Sequence, residues 1–232
     1  MNQPRQTAIR WAVASALGLA LASPMTTVFA QSTPAAPAAT GQAAQPVQAA
    51  APDAFIKRIT DEVFATVKAD KGIQQGDLRK VQAMVETKIL PNVDLQRMTS
   101  AAVGRPWRQA TPEQKQRLQE EFKNLLIYTY AGAAAQIKDQ TIEYRPMRSS
   151  PSDNEVIVRT LVRNKGDAIQ LDYRLEKADG GWKIYDVNVL GAWLVQTYQS
   201  SFAQEVSASG IDGLIAKLVE RNKQLAARKV AS

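Results

Sequence analysis

Residues 182–202 read Trp-Lys-Ile-Tyr-Asp-Val-Asn-Val-Leu-Gly-Ala-Trp-Leu-Val-Gln-Thr-Tyr-Gln-Ser-Ser-Phe, and this stretch decides the fold. Its first half alternates with the period of a strand, which predicts Tyr185, Val187 and Val189 on one side and Trp182 and Ile184 on the other. Both sides are largely apolar, so neither is expected to face bulk water. The second half changes to helical spacing, with Leu194, Tyr198, Phe202 and Val206 one turn apart. Gly191 marks the sharp turn between the two. A doubly apolar strand that runs straight into an aromatic-rich helix encloses an apolar space, filled either by packed core or by a ligand.

Upstream, period-two patterning gives three more strand candidates at 141–148, 155–163 and 168–176, making four with 182–189. The third is the cleanest: Ile169, Leu171, Tyr173 and Leu175 alternate with Gln170, Asp172, Arg174 and Glu176. The connections carry Pro151-Ser152-Asp153-Asn154, Asn164-Lys165-Gly166-Asp167 and Asp179-Gly180-Gly181, which favour an antiparallel meander. Before the strands lie four helices. Pro52-Asp53 opens the first, with Phe55, Ile56, Ile59, Val63 and Val67 inward. Asp77 caps the second, which Pro91 ends. Asp94 starts a short third, stopped by Gly104. Thr111-Pro112-Glu113-Gln114 has the form of a capping box and opens a helix to about residue 138. Helices at 190–206 and 211–222 close the chain. The expected class is α+β, a curved four-stranded antiparallel sheet with a helical subdomain packed on one face.

The first thirty residues predict a secretory signal peptide: Arg5 and Arg10, a short apolar run from Trp11, then Val28-Phe29-Ala30 with cleavage after Ala30. Residues 31–52, with nine Ala, four Pro and four Gln and no charge, form an expected disordered linker. The folded domain is expected over 53–222 and a C-terminal tail over 223–232. The chain has no Cys and no His, so disulfides, Cys-His or Ser-His nucleophiles and the usual zinc sites are excluded. No catalytic residue, metal site or cofactor is expected. Without Arg5 and Arg10 the formal charge falls from +7 to +5, scattered among acids, which argues against nucleic acid.

Val93-Asp94-Leu95-Gln96-Arg97-Met98, then residues 103–114 from Val-Gly-Arg-Pro-Trp-Arg to the capping box, then Trp182-Lys-Ile-Tyr-Asp186-Val and Gly191-Ala-Trp-Leu-Val-Gln-Thr-Tyr198 occur in that order. Behind a signal peptide, this set resembles the MlaC, or toluene-tolerance auxiliary, family of periplasmic phospholipid carriers. The resemblance covers roughly 54–218; Gln199 departs from the Arg expected there in many members. It implies an NTF2-like sheet with a helical subdomain and a lipid pocket between them. It implies phospholipid as cargo, a periplasmic location, and two partners: an inner-membrane ABC-type complex and an outer-membrane lipoprotein complex. The function implied is phospholipid shuttling between the two membranes, which maintains outer-membrane lipid asymmetry.

Candidate lipid-lining residues are Leu125, Leu126, Tyr130, Val158, Leu171, Tyr173, Tyr185, Val187, Leu194 and Tyr198, with Arg97, Arg105 and Arg108 as candidate head-group ligands. Ordinary core and solvated surface are the competing readings. Two other functions stay open: an enzyme acting on a small apolar substrate through Asp186 and a tyrosine, and an envelope chaperone or scaffold.

Overall fold

A computed structural model describes residues 50–230 apart from 138, 148, 149, 151, 165 and 166. The expected signal peptide, all but the last three residues of the expected linker, and residues 231–232 lie outside the described residues.

Helix α1 (Pro52–Ala69) begins with Pro in its first turn beside Asp53, and buries Phe55, Ile56, Ile59 and Val67. Asp70 caps the short α2 (Lys71–Gln74) by accepting from the N–H groups of Gly72 and Ile73. Asp77 caps α3 (Leu78–Met84) in the same way, and that helix continues as a wider turn, Val85–Ile89, before Pro91 ends it. Asp94 caps α4 (Leu95–Val103), and Gly104, at φ 73°, stops it. A 3₁₀ turn (Arg105–Gln109) leads to α5 (Pro112–Ala135), where Thr111 and Gln114 form the expected reciprocal capping box.

Five antiparallel neighbours follow: β1 (Thr141–Tyr144), β2 (Glu155–Asn164), β3 (Asp167–Ala178), β4 (Gly181–Val189) and β5 (Ala192–Trp193). The first four are the expected meander. The fifth is new, and it arises at the turn. Leu190 and Gly191 sit at φ 55° and 90°, and positive φ at both central residues closes a two-residue hairpin of type I′. The last helix, α6 (Leu194–Val230), therefore starts four residues later than expected. Gly210, at φ 71°, interrupts it where the sequence divides into two helices. Beyond Asn222 it stays helical, and Leu225 packs against the helical core.

One expectation about β4 needs correction. Leu175 lies opposite Ile184, but Arg174 lies opposite Asp186, so Tyr185 is an extra residue on β4. This bulge reverses the alternation halfway along the strand. Trp182 and Ile184 share a face with Val187 and Val189, not the opposite one, while Tyr185 turns to the other side with Arg174 and Glu155.

The apolar interior comes in three clusters. One, between α1 and the sheet, holds Phe55, Ile56, Ile59, Val158, Tyr173, Leu175, Trp182 and Ile184. A second, among α4, α5 and α6, holds Phe122, Leu118, Phe202 and Leu214, with Phe122 edge-on to both Tyr198 and Phe202. A third packs Val67, Ile73, Val81, Met84 and Ala131. Among the described residues, Val63 touches the first and third, and Val93 the first and second.

Candidate functional site

The inner face of the sheet is apolar apart from Thr160, and its covering is uneven. Strand register places Val156, Val158, Thr160 and Val162 of β2 beside Leu175, Tyr173, Leu171 and Ile169 of β3, and Ile184, Val187 and Val189 of β4 complete the rows. Helix α1 seals one end: Val158, Tyr173, Leu175 and Ile184 are buried, and Thr60 of α1 meets the Tyr144 hydroxyl at 2.7 Å. Past that contact Thr160 is still buried, but the covering thins. Ile142, Val162, Leu171, Val187 and Val189 are half-buried, and Ile169 is 42% exposed. Leu171 and Val187 still pack against the cluster under α1, and the run beyond them is an apolar surface that the protein covers only in part.

The candidate lining residues divide among distinct environments. Val158, Leu171, Tyr173 and Val187 meet on the inner sheet face. Tyr173 is deeply buried there, and burial pushes its hydroxyl far above the usual phenol range. Leu125, Leu126 and Tyr198 belong to the helical cluster. Tyr130 is half-buried on α5, and Leu194 is buried in the first turn of α6. Tyr185 lies on the opposite sheet face. Ile142, Val162, Ile169 and Val189, which extend the inner face, were not among the candidate lining residues. Their alternation was visible, but which rows lie beyond the reach of α1 was not.

Arg105 and Arg108 are exposed on the 3₁₀ turn. Arg97 is already engaged. Its guanidinium stacks 3.7 Å from the Tyr185 ring centre, bonds Glu155 at 2.6 Å and also bonds Glu176. Glu155 and Glu176 are directly opposed across β2 and β3, an arrangement that like charges resist. Arg97 reconciles them and ties α4 to the sheet, and its hydrogen bond holds the Glu155 carboxyl below the usual range. Replacing Arg97 with Met is expected to cost about 2 kcal/mol at neutral pH, less than for a fully buried pair because these groups keep part of their hydration. A depressed folded-state value means that the contribution of Glu155 exists above the carboxylate range and is lost as pH falls through it. The gap between wild type and variant should therefore close in acid. Urea titrations at neutral and acid pH check this; a gap that is unchanged in acid refutes the role.

Asp186, 1% exposed, accepts hydrogen bonds from the N–H groups of Val187 and Val195 at 2.9 and 3.1 Å and pairs with Arg174 at 3.0 Å. The Val195 bond makes it a cap for α6 delivered from a neighbouring strand. Burial nevertheless raises its carboxyl above the usual value, against the pull of those partners. Arg174 in turn stacks 3.9 Å from the Trp193 ring centre.

On the outer face a cleft of about 760 Å³ opens among Pro146, Met147, Asp153, Ile157, Arg159, Arg174 and Tyr185. Its walls carry both signs of charge, which suits polar contact and disfavours hydrocarbon. The inner face, not this cleft, is the apolar site. Among the described residues no His, Cys, Asp and Glu group is arranged to hold a metal ion, and no helix is long and apolar enough to cross a membrane.

Fold and site together define an α+β protein with a half-covered apolar sheet face beside a helical subdomain. The model of the MlaC protein family matches residues 57–220, and the chain belongs to the MlaC family. It is 26% identical to the toluene tolerance protein ttg2D of Pseudomonas putida over 72% of this chain and 78% of the relative. It is 22% identical to the intermembrane phospholipid transport system binding protein MlaC of Haemophilus influenzae, over 75% of this chain and 83% of the relative. Among solved structures, it is similar to a phospholipid-binding protein of Ralstonia solanacearum in complex with a phospholipid, with 48% identity, a TM-score of 0.73, and coverage of 75% of this chain and 98% of the other.

Proposed function

We propose that this protein is a periplasmic phospholipid carrier that moves lipid between the inner and outer membranes and so maintains outer-membrane lipid asymmetry. The observation that carries this reading is the partly covered apolar end of the inner sheet face, in a chain 48% identical to a protein whose structure holds a phospholipid. Leu171, Val187 and Val158 of the sheet, with Leu125, Leu126, Tyr130, Tyr173, Leu194 and Tyr198, are the proposed lining. The physical need is plain. Each acyl CH₂ costs about 0.8 kcal/mol to expose, so a two-chain lipid leaving a membrane unprotected loses on the order of 20 kcal/mol. A partly covered hydrocarbon-compatible surface offsets that loss.

The partners on this reading are an inner-membrane ABC-type complex and an outer-membrane lipoprotein complex, and the cargo is the only small molecule required. Catalysis has no part in it: Asp186, the carboxylate an enzyme reading would need, is committed to a helix terminus and Arg174. Native mass spectrometry of the mature protein, purified without detergent, is expected to show diacyl phospholipid bound, and lipid extraction to identify it. A protein that is entirely ligand-free after gentle isolation overturns the carrier reading.

A further inference from the structure

Leu190 stands out on two independent counts. It is the one non-glycine residue at positive φ among the described residues, and its side chain is 71% exposed. The first central position of a type I′ turn favours Asn, Asp or Gly, and leucine is costly there in backbone conformation. It is costly again as an apolar side chain facing water. The tip is also held firmly. Val189 pairs with Ala192, the Gly191 N–H donates to Asn188 Oδ1 at 2.9 Å, and the Leu190 N–H donates to the Gln170 carbonyl at 3.0 Å. That last bond brings the tip beside Ile169, the other large apolar side chain exposed among the described residues. A strained, unfavourable residue in a rigid frame is the pattern expected where a contact, not the fold, sets the choice.

We infer that the Leu190-Gly191 hairpin tip is a wedge that enters the hydrocarbon surface of a phospholipid bilayer. The inference rests on the carrier reading, and two observations select the occupant. Two exposed side chains fall far short of the roughly 800 Å² per partner of a standard protein interface, but a shallow insertion needs no more than that. The tip ends β4, the strand whose Val187 and Val189 belong to the half-open apolar face, so a lipid leaving the bilayer beside it meets hydrocarbon-compatible surface at once.

The absence of cysteine makes the test direct. The mature protein is prepared as Leu190→Cys and, at the opposite end of β4, as Gly180→Cys, each labelled with an environment-sensitive fluorophore. It is then mixed with vesicles of phosphatidylethanolamine and a minority of phosphatidylglycerol. The label at 190 should brighten severalfold and shift to the blue, while the label at 180 stays unchanged. No response at 190, an equal response at both positions, or a response only after envelope proteins are added to the vesicles overturns the wedge.

Leu190→Asn supplies the second arm. Asn accepts the turn conformation, so the melting temperature should hold or rise and co-purifying lipid should be unchanged. Transfer of fluorescent phospholipid between vesicles should fall severalfold, and undiminished transfer overturns the inference. Failure of the carrier reading itself would appear separately, as protein isolated without lipid.

Discussion

Leu171→Glu should empty the protein of phospholipid and leave it folded. Leu171 lies on the inner sheet face at the edge of the cluster under α1, opposite Val189, and is half-buried. In a lipid-free molecule the new carboxylate can reach water, so the cost to stability is about 1 kcal/mol or less. Against acyl chains the same carboxylate must either lose its hydration or displace them, and an unpaired charge in hydrocarbon costs several kcal/mol. Occupancy should drop more than tenfold, since about 1.4 kcal/mol already corresponds to that factor. Leu175→Glu, four residues along on the same face but fully buried under α1, should unfold the domain instead. Circular dichroism and lipid extraction on both variants give the answer. A folded Leu171→Glu protein with its full lipid content removes this residue from the site.

The second large effect is on stability. Asp186→Ala should lower it by about 3 kcal/mol, because two partly buried N–H groups and Arg174 lose their acceptor together. For a domain of this size that is a fall in Tm of roughly 6–12 °C. Asp186→Asn keeps an oxygen for both N–H groups and should cost less. Because burial raises this carboxyl in the folded protein, the folded state binds the proton more tightly than the unfolded chain does. Stability linked to this group is therefore not lost on mild acidification, the reverse of Glu155. A Tm within a degree or two of wild type for Asp186→Ala would end the capping role and reopen a chemical one.

Local signals in the sequence were read well because their physics is local. The Thr111-Gln114 capping box, the caps at Asp77 and Asp94, the stop at Gly104 and the break at Gly210 each act within one turn of chain. The strands were legible from period and turn residues. Tyr185 was not. Its outward position depends on one extra residue in the β3–β4 register, and alternation within a strand cannot reveal where a partner slips. Arg97 shows the same limit for charge. Its two carboxylates lie 58 and 79 residues away, so it reads as a free cation in sequence and as a clasp in three dimensions. The inner face was half-legible: Val158, Leu171, Tyr173 and Val187 were named from alternation, whereas the uncovered row at Ile142, Val162 and Ile169 depends on where α1 runs out.

Among the described residues the interior divides into three apolar clusters with Val63 and Val93 packed between them, and this bears on how the domain resists unfolding. A single continuous core melts as one unit, because no part can open without exposing the rest. Three parcels meeting through so few side chains behave as loosely geared blocks, each with its own opening free energy and its own amide-exchange tier. For a carrier, a hydrocarbon ligand lodged against the sheet becomes the missing gear: it stabilises only the arrangement that holds it. On the carrier reading, affinity for cargo and cooperativity of the fold are thermodynamically linked, and emptying the protein would loosen the joints between the blocks.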